Sequence, residues 1–295
     1  MRLVDAHHHL WDLAAVEYPW LNARGVRRFF GDPTPIQRDY GVADLRADAR
    51  PHELVASVHV QVGCRPGREL DETRWLQAVG ERDGLPTAIV AAVDLTAPDA
   101  VSRLREHGRS DRVRGVRQIV GREPADDERT GAGRVLDDPA FAAGLRALAA
   151  AGLSFDLQLN VPQMPRAAAL LEAVPELPVA LCHCGSPWDR TASGLAEWRR
   201  GLERLARLPR SVCKLSGLSM FEPAWTDASF VSIARAVLDT FGPERTMFGS
   251  NYPVDGLHRG YGEIVEATRR AVEPHGPGAL ARVFGDTARE FYRLA

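Results

Sequence analysis

The chain has 295 residues, of which 45% are hydrophobic and 26% charged, an ordinary composition for a globular protein. Its 37 basic and 39 acidic residues give a net charge of -2 without a long block of one sign, which argues against binding to nucleic acid or a membrane surface. No signal peptide and no apolar stretch of about 18 residues is recognisable. The four cysteines lie in or beside apolar runs, as reduced thiols do, so we expect a cytoplasmic protein.

Short apolar runs alternate with longer segments of helical periodicity along the chain. The runs are typical of strands buried on both faces of a parallel sheet. The predicted strands are residues 3–6, 54–62, 88–95, 113–120, 153–159, 179–184, 211–217 and 245–250. The predicted helices are residues 70–82, 139–150 with Asp138 as N-cap, 164–174, 195–205, 230–241, 263–272 and 280–294. Eight strand–helix repeats predict one domain over residues 1–295, folded as a (β/α)8 TIM barrel.

Two segments interrupt this alternation. Residues 18–40 hold Trp20, two phenylalanines and three prolines, and predict a long loop after strand one that lies over the barrel mouth. Trp20 is a candidate substrate contact there, although a surface excursion with its own small core is an equal alternative. Residues 121–137 are polar and charged, and predict a solvated loop after strand four.

The end of the first predicted strand carries the sequence HHH. His7 and His9 are two residues apart and therefore share one face, where both rings can approach one metal ion or one substrate oxygen. A hydrogen-bonded structural pair is the alternative, and His8 faces the other way. A third histidine, His183, ends an apolar strand, where an unpaired ring would cost about 1–3 kcal/mol.

Two charged residues lie inside apolar strands. Arg117 and Lys214 must each pair with another group or bind a ligand. Each of the two residues is interpreted either as part of an internal ion pair or as a clamp that stabilises an oxyanion.

Further polar residues share strand faces or strand ends. His59 and Gln61 lie on one face of strand two, Gln158 lies on strand five, and all three are candidate substrate contacts. Asn251 follows strand eight at a Gly-Ser turn. The remaining histidines of polar segments, His52, His107 and His275, are expected at the surface.

Nine stretches, in order along the chain, resemble the amidohydrolase superfamily, and within it the lactonase branch of sugar-acid and pyrone-dicarboxylate lactonases. They are DAHHHLWD, YPWL, VHVQ, GVRQI, GLSFDLQL, LCHCGSP, CKLSGL, MFGSNYPVD and FGDTAREFYRL. The resemblance implies that His7, His9 and His183 hold a divalent metal such as zinc, although some members work without metal. It also implies an aspartate after strand eight that activates the attacking water.

This chain departs from that pattern at two positions. Asn251 stands where the family has its aspartate, and Gln61 stands where relatives commonly have glutamate. An amide cannot accept a proton as a carboxylate does, so another group must act as the base. The candidates are the three histidines, and also Asp255 and His258, which as loop residues are otherwise expected to be solvated.

The resemblance therefore predicts a hydrolase that opens a lactone of a small sugar-derived or aromatic-derived acid. The expected catalytic residues are His183, Asn251, Arg117 and Lys214. Two alternatives stay open: a metal-dependent decarboxylase or hydratase of small aromatic acids, against which Asn251 counts, and a non-catalytic binding barrel that has lost its carboxylate. The expected partner is a small-molecule substrate, and a homo-oligomer stays open.

Overall fold

The computed structural model describes residues 1–294, without the side chains of residues 126, 130 and 132. Within this range eight parallel strands follow one another in chain order around one sheet. They are β1 (Arg2–His8), β2 (Glu53–Val60), β3 (Ala88–Ala91), β4 (Val113–Val116), β5 (Ser154–Leu157), β6 (Val179–Leu181), β7 (Ser211–Leu215) and β8 (Thr246–Phe248). Backbone hydrogen bonds from Asn251 to His7 (2.7 Å) and from His9 to Tyr252 (2.8 Å) join the end of β8 to β1. The predicted (β/α)8 barrel is confirmed.

Helices fill the connections between the strands. They are α1 (Pro19–Asn22), α2 (Val42–Asp48), α3 (Glu69–Asp83), α4 (Ala100–His107), α5 (Pro124–Thr130), α6 (Pro139–Ala150), α7 (Met164–Glu172), α8 (Ala192–Ala206), α9 (Leu218–Phe221), α10 (Asp227–Phe241), α11 (Tyr261–Val272), α12 (Ala279–Ala281) and α13 (Thr287–Tyr292). Asp138 caps α6 as predicted, accepting a hydrogen bond from the backbone of Ala140. None of the helices in the described chain has the length and apolar character needed to cross a membrane.

Two hydrophobic clusters reflect the alternation of side chains along the strands. The inner cluster includes Val4, Val58 and Val90, and is closed by Ala288 and Tyr292 of α13. The outer cluster packs the other strand faces, such as Leu3 and Ile89, against the helices. The helix predicted over residues 280–294 is observed as a continuous helical segment, which passes from α12 through a π-helix at Arg282–Asp286 into α13, and α13 closes the inner cluster.

An irregularity in β1 decides which histidines face inward. The pairing of β1 with β2 shifts between Asp5 and His8, so three residues of β1 span two of β2. Such a bulge reverses the faces of the residues that follow it. The ring centroid of His7 therefore lies 4.4 Å from that of His183, whereas the ring centroid of His8 lies 6.0 Å from that of His59.

Several expectations about the connections were wrong. Residues 121–137 contain α5 and a 3-10 segment at Ala132–Asp137 rather than an irregular loop. Helices α2 and α4 were not predicted. His107, expected at the surface, is buried, and its Nδ1 atom forms a 2.8 Å hydrogen bond with Thr73 Oγ1 because α4 packs against α3.

Candidate active site

A cavity of about 810 Å³ opens where the carboxyl ends of the strands meet. This end of a parallel barrel is where enzymes of this fold place their active sites. Five strand-end residues line it: His9, Arg117, Gln158, His183 and Asn251. The loop over residues 18–40 contributes Pro19, Trp20 and residues 27–30, so this loop does lie over the mouth.

A larger groove of about 1020 Å³ lies elsewhere, between α8 and α10. Its walls include Arg199, Glu203 and Arg235 and contain no histidine. It offers none of the strand-end groups found in the other cavity, so the chemistry points to the strand-end cavity.

The inward histidines depend on close backbone approaches by glycine. A side chain at Gly217 would place its Cβ 2.3 Å from His183 Nδ1, and one at Gly249 would place it 2.6 Å from His7 Cβ. Gly217 also has a φ of +68°, which favours glycine. These two glycines make room for two of the three rings.

Unusual backbone conformations cluster at the same place. His183, Cys184, Ser186 and Asn251 all have positive φ values between 52° and 55°. Non-glycine residues adopt this region at a cost, and such residues concentrate at functional sites. The turns after β6 and β8 thus hold His183 and Asn251 in conformations that surrounding contacts must maintain.

His9 is oriented by a hydrogen bond on one side of its ring. Its Nδ1 atom lies 2.7 Å from the backbone oxygen of Val60, which can only accept, so Nδ1 carries the proton. The Nε2 atom of the neutral ring is therefore unprotonated and carries a lone pair, and it lies 3.3 Å from Asn251 Oδ1. Two acceptors face each other at the cavity wall.

Burial keeps the three histidines neutral. It lowers the pKa of His7, His9 and His183 well below the usual 6.5, and the positive charge of Arg117 lowers all three further. Neutral imidazole can accept a proton or bind a metal. Both ring nitrogens of His7 are buried without a hydrogen-bond partner among the described residues, so either can bind a ligand.

The donor chemistry of these rings suits a divalent metal. His9 and His183 each use Nδ1 in a hydrogen bond, His183 with Ser216 Oγ at 3.0 Å, which leaves Nε2 for a ligand as in many metal sites. Over the part of the chain that the structure describes, however, no three His, Cys, Asp or Glu side chains stand close enough to form a metal-binding group. The residues fit a metal in type, and the rings would have to adjust to share one.

Arg117 brings a fixed positive charge to the cavity. Its guanidinium donates to Gln158 Oε1 at 3.0 Å and to the backbone oxygen of Gln61. Its Nε atom has no partner within residues 1–294. Arg117 is 5% exposed, so a negative charge that develops on a ligand here would be little screened by water.

Besides His7, whose ring packs behind the wall against that of His183, three predicted site residues do not reach the cavity wall. His59 faces α3, where its Nε2 atom lies 3.9 Å from Glu72 Oε1, because inward positions of β2 are taken by Val58 and Val60. Gln61 is likewise absent from the wall. Lys214 lies deeper in the barrel and pairs with Asp156 at 2.5 Å.

The two candidate bases that follow β8, Asp255 and His258, lie in surroundings other than those expected. Asp255 is 1% exposed rather than solvated. His258 Nε2 lies 2.6 Å from the backbone oxygen of Phe30, and so anchors the loop over the mouth. Sequence reasoning did not single out Arg28 and Trp188, which also line the cavity, because they lie on loops without a motif.

The chain is similar to known proteins over nearly its whole length. The family described as Amidohydrolase matches residues 4–294. An L-fucono-1,5-lactonase of Burkholderia multivorans is 34% identical over 304 residues, covering 99% of this chain and 96% of the relative, and one of Burkholderia ambifaria is 32% identical over 307 residues, covering 99% and 95%. The crystal structure of an amidohydrolase from Burkholderia multivorans with bound zinc is 30% identical, covers both chains fully and superposes with a TM-score of 0.84. The chain belongs to the amidohydrolase family.

Proposed function

We propose that this protein hydrolyses a lactone of a small polar acid. The similarity to two L-fucono-1,5-lactonases over nearly the whole chain supports this reaction, and favours a sugar-derived lactone over an aromatic one. The observation that carries the proposal is the unprotonated Nε2 atom of His9, which lies beside Asn251 Oδ1 in the cavity that Arg117 also lines.

The pair of acceptors at His9 and Asn251 is suited to hold a water molecule. A water that donates one proton toward His9 Nε2 and one toward Asn251 Oδ1 satisfies both atoms and points a lone pair away from them. As the water attacks the lactone carbonyl, His9 accepts its proton. Asn251 thus orients the water without acting as the base.

Arg117 then stabilises the charge that develops on the carbonyl oxygen. The guanidinium is already held by Gln158 and by the backbone of Gln61, so little reorganisation is needed. When the intermediate collapses, the bond to the ring oxygen breaks and the protonated His9 returns its proton to that oxygen. The product is the open hydroxy acid.

We also propose that His7, His9 and His183 would hold one divalent ion, such as zinc. An ion bound at His9 Nε2 would take the lone pair that accepts the proton, so the base role of His9 applies to the site without an ion. When bound, it would supply Lewis-acid polarisation of the carbonyl. A zinc-bound structure 30% identical to this chain supports the proposal.

The walls of the cavity fit a cyclic, polar substrate. Trp20 and Trp188 offer flat surfaces for a ring, and Trp20 Nε1 is fixed by a 2.9 Å hydrogen bond to the backbone oxygen of Val62. Arg27 and Arg28 stand at the same wall and favour an acid or its anion.

The test is acid release from a panel of lactones by the purified protein, measured with a pH indicator. L-fucono-1,5-lactone and other sugar-acid lactones come first, pyrone-type lactones second, each with and without a chelator. His183→Asn should abolish turnover, and His275→Asn, outside the cavity, serves as the matched control. Activity that survives chelation would refute the divalent ion as a required cofactor, activity lost on chelation would refute His9 as the base, and silence across the panel would refute lactone hydrolysis.

A further inference from the structure

A buried carboxylate lies directly behind Asn251. Asp255 begins the 3-10 turn Asp255–Leu257 after β8 and is 1% exposed. Its Oδ1 atom accepts a 2.7 Å hydrogen bond from Asn251 Nδ2, and its Oδ2 atom accepts one from the backbone of Ser219 at 3.3 Å. Asp255 is not part of the cavity wall, so it reaches the cavity through Asn251.

The charge on Asp255 decides how the Asn251 amide is turned. An ionised carboxylate only accepts hydrogen bonds, so the amide must direct its NH2 group to Asp255 and its oxygen to His9. In this orientation Oδ1 lies 3.3 Å from His9 Nε2, and both atoms are acceptors. The opposite orientation would donate the NH2 group to His9 and occupy the lone pair that the reaction uses.

We propose that Asp255 is a positioning residue of the reaction: through Asn251 it keeps an acceptor oxygen beside His9 and so preserves the water-binding pair. This inference rests on the proposed lactone hydrolysis. The resemblance to the family implies a carboxylate at position 251 itself. Here the carboxylate is that of Asp255, which lies behind residue 251. Because Asp255 accepts from the NH2 group of Asn251, the amide oxygen is the acceptor that faces the cavity.

The surroundings of Asp255 make this device sensitive to pH. Burial raises the pKa of Asp255 to about 7, although the hydrogen bonds from Asn251 and Ser219 oppose the rise. Among the described residues, the Cys184 thiol and the Tyr252 phenol interact electrostatically with it, and burial raises the pKa of both, so they stay neutral. Below pH 7 a protonated Asp255 can donate to the amide oxygen, and Asn251 can then turn its NH2 group toward His9.

The consequence for catalysis is an acidic limb near pH 7 in kcat/KM. The pKa of His9 itself lies well below 6.5, so His9 titrates at lower pH. Asp255→Asn should lower kcat about 10- to 100-fold with little change in KM, since it acts on a positioning contact. It should also remove the limb near pH 7, because an amide does not titrate.

The double variant Asn251→Asp with Asp255→Asn provides the rescue. It exchanges carboxylate and amide, so the acceptor at the cavity no longer depends on a titrating neighbour. We expect it to restore kcat to within about tenfold of the wild type. Retained kcat and an unchanged acidic limb in Asp255→Asn would overturn the proposal, and so would a loss of activity that the exchange does not rescue.

A measurement without substrate separates this proposal from the proposed function. In ¹⁵N-histidine NMR spectra, the His9 Nε2 signal, identified with His9→Asn, should change near pH 7 in the wild type and not in Asp255→Asn. If no lactone is hydrolysed, the proposed function fails, and this titration still decides whether Asp255 controls the pair. If Asp255→Asn does not fold, Asn251→Ala is titrated instead: it removes the link between Asp255 and His9, so a change retained near pH 7 would refute the inference.

Discussion

Replacing Lys214 with methionine should destabilise the fold rather than abolish the reaction. The side chains of Lys214 and Asp156 are both 0% exposed, and Lys214 Nζ lies 2.5 Å from Asp156 Oδ2 and 2.8 Å from the backbone oxygen of Ala6. Tyr292 adds hydrogen bonds of 2.8 and 2.9 Å to the two carboxylate oxygens. Lys214→Met would leave Asp156 buried with the tyrosine hydroxyl as its main partner.

The size of the effect follows from burial of an unpaired charge. Breaking a buried ion pair on one side costs about 3–5 kcal/mol. For a chain of 295 residues this lowers Tm by about 5–8 °C. The double variant Lys214→Met with Asp156→Leu removes both charges, and should lie within about 1–2 kcal/mol of the wild type.

Thermal and urea unfolding of the two single variants and the double variant measure this coupling. Additive single effects would refute the buried pair as a stabilising unit. Turnover at 20 °C separates the structural role from the catalytic role predicted from the sequence, since Lys214 does not line the cavity. A thousandfold fall in kcat with an unchanged Tm would favour the oxyanion clamp instead.

Three further outcomes are expected. Burial raises the pKa of Glu72 from 4.5 to about 7, so its contribution to stability is present below pH 4.5 and is lost as pH rises through 7. The free energy of unfolding of Glu72→Gln, relative to that of the wild type, should therefore rise by about 3 kcal/mol between pH 4.5 and pH 8. Unfolding measured at both pH values tests this. Arg117→Lys keeps the charge but loses the planar fork, and should lower kcat about 100-fold with a smaller change in KM. Gly217→Ala brings a methyl group 2.3 Å from His183 Nδ1. A backbone strain of about 1–2 kcal/mol should lower Tm slightly, and kcat should fall by more than this loss of stability explains.

The sequence predicted the strands well because each is a short apolar run between helical segments. All eight exist, although β2 to β8 end earlier than expected. Helix α5 was missed because its sequence, PADDERT, has no apolar face from which periodicity can be recognised.

The candidate site was predicted in part. His9, His183, Asn251, Arg117, Gln158 and Trp20 share one cavity, as the strand-end argument suggested. The faces of β2 were assigned wrongly, since alternation alone gives two equal choices and only the packing of α3 against His59 distinguishes them. The burial of Asp255 could not be predicted either, because it depends on the distant backbone of Ser219.

The position of Tyr292 has a consequence for the order in which the molecule can assemble during synthesis. Asp156 and Lys214 lie on β5 and β7, but the hydroxyl that completes their network comes from α13, which the ribosome makes after all eight strands. A nascent chain must therefore hold this charged pair without its third member until α13 has emerged. If translation is stalled after β8, the nascent chain should form a barrel that is open at its base and sensitive to proteases.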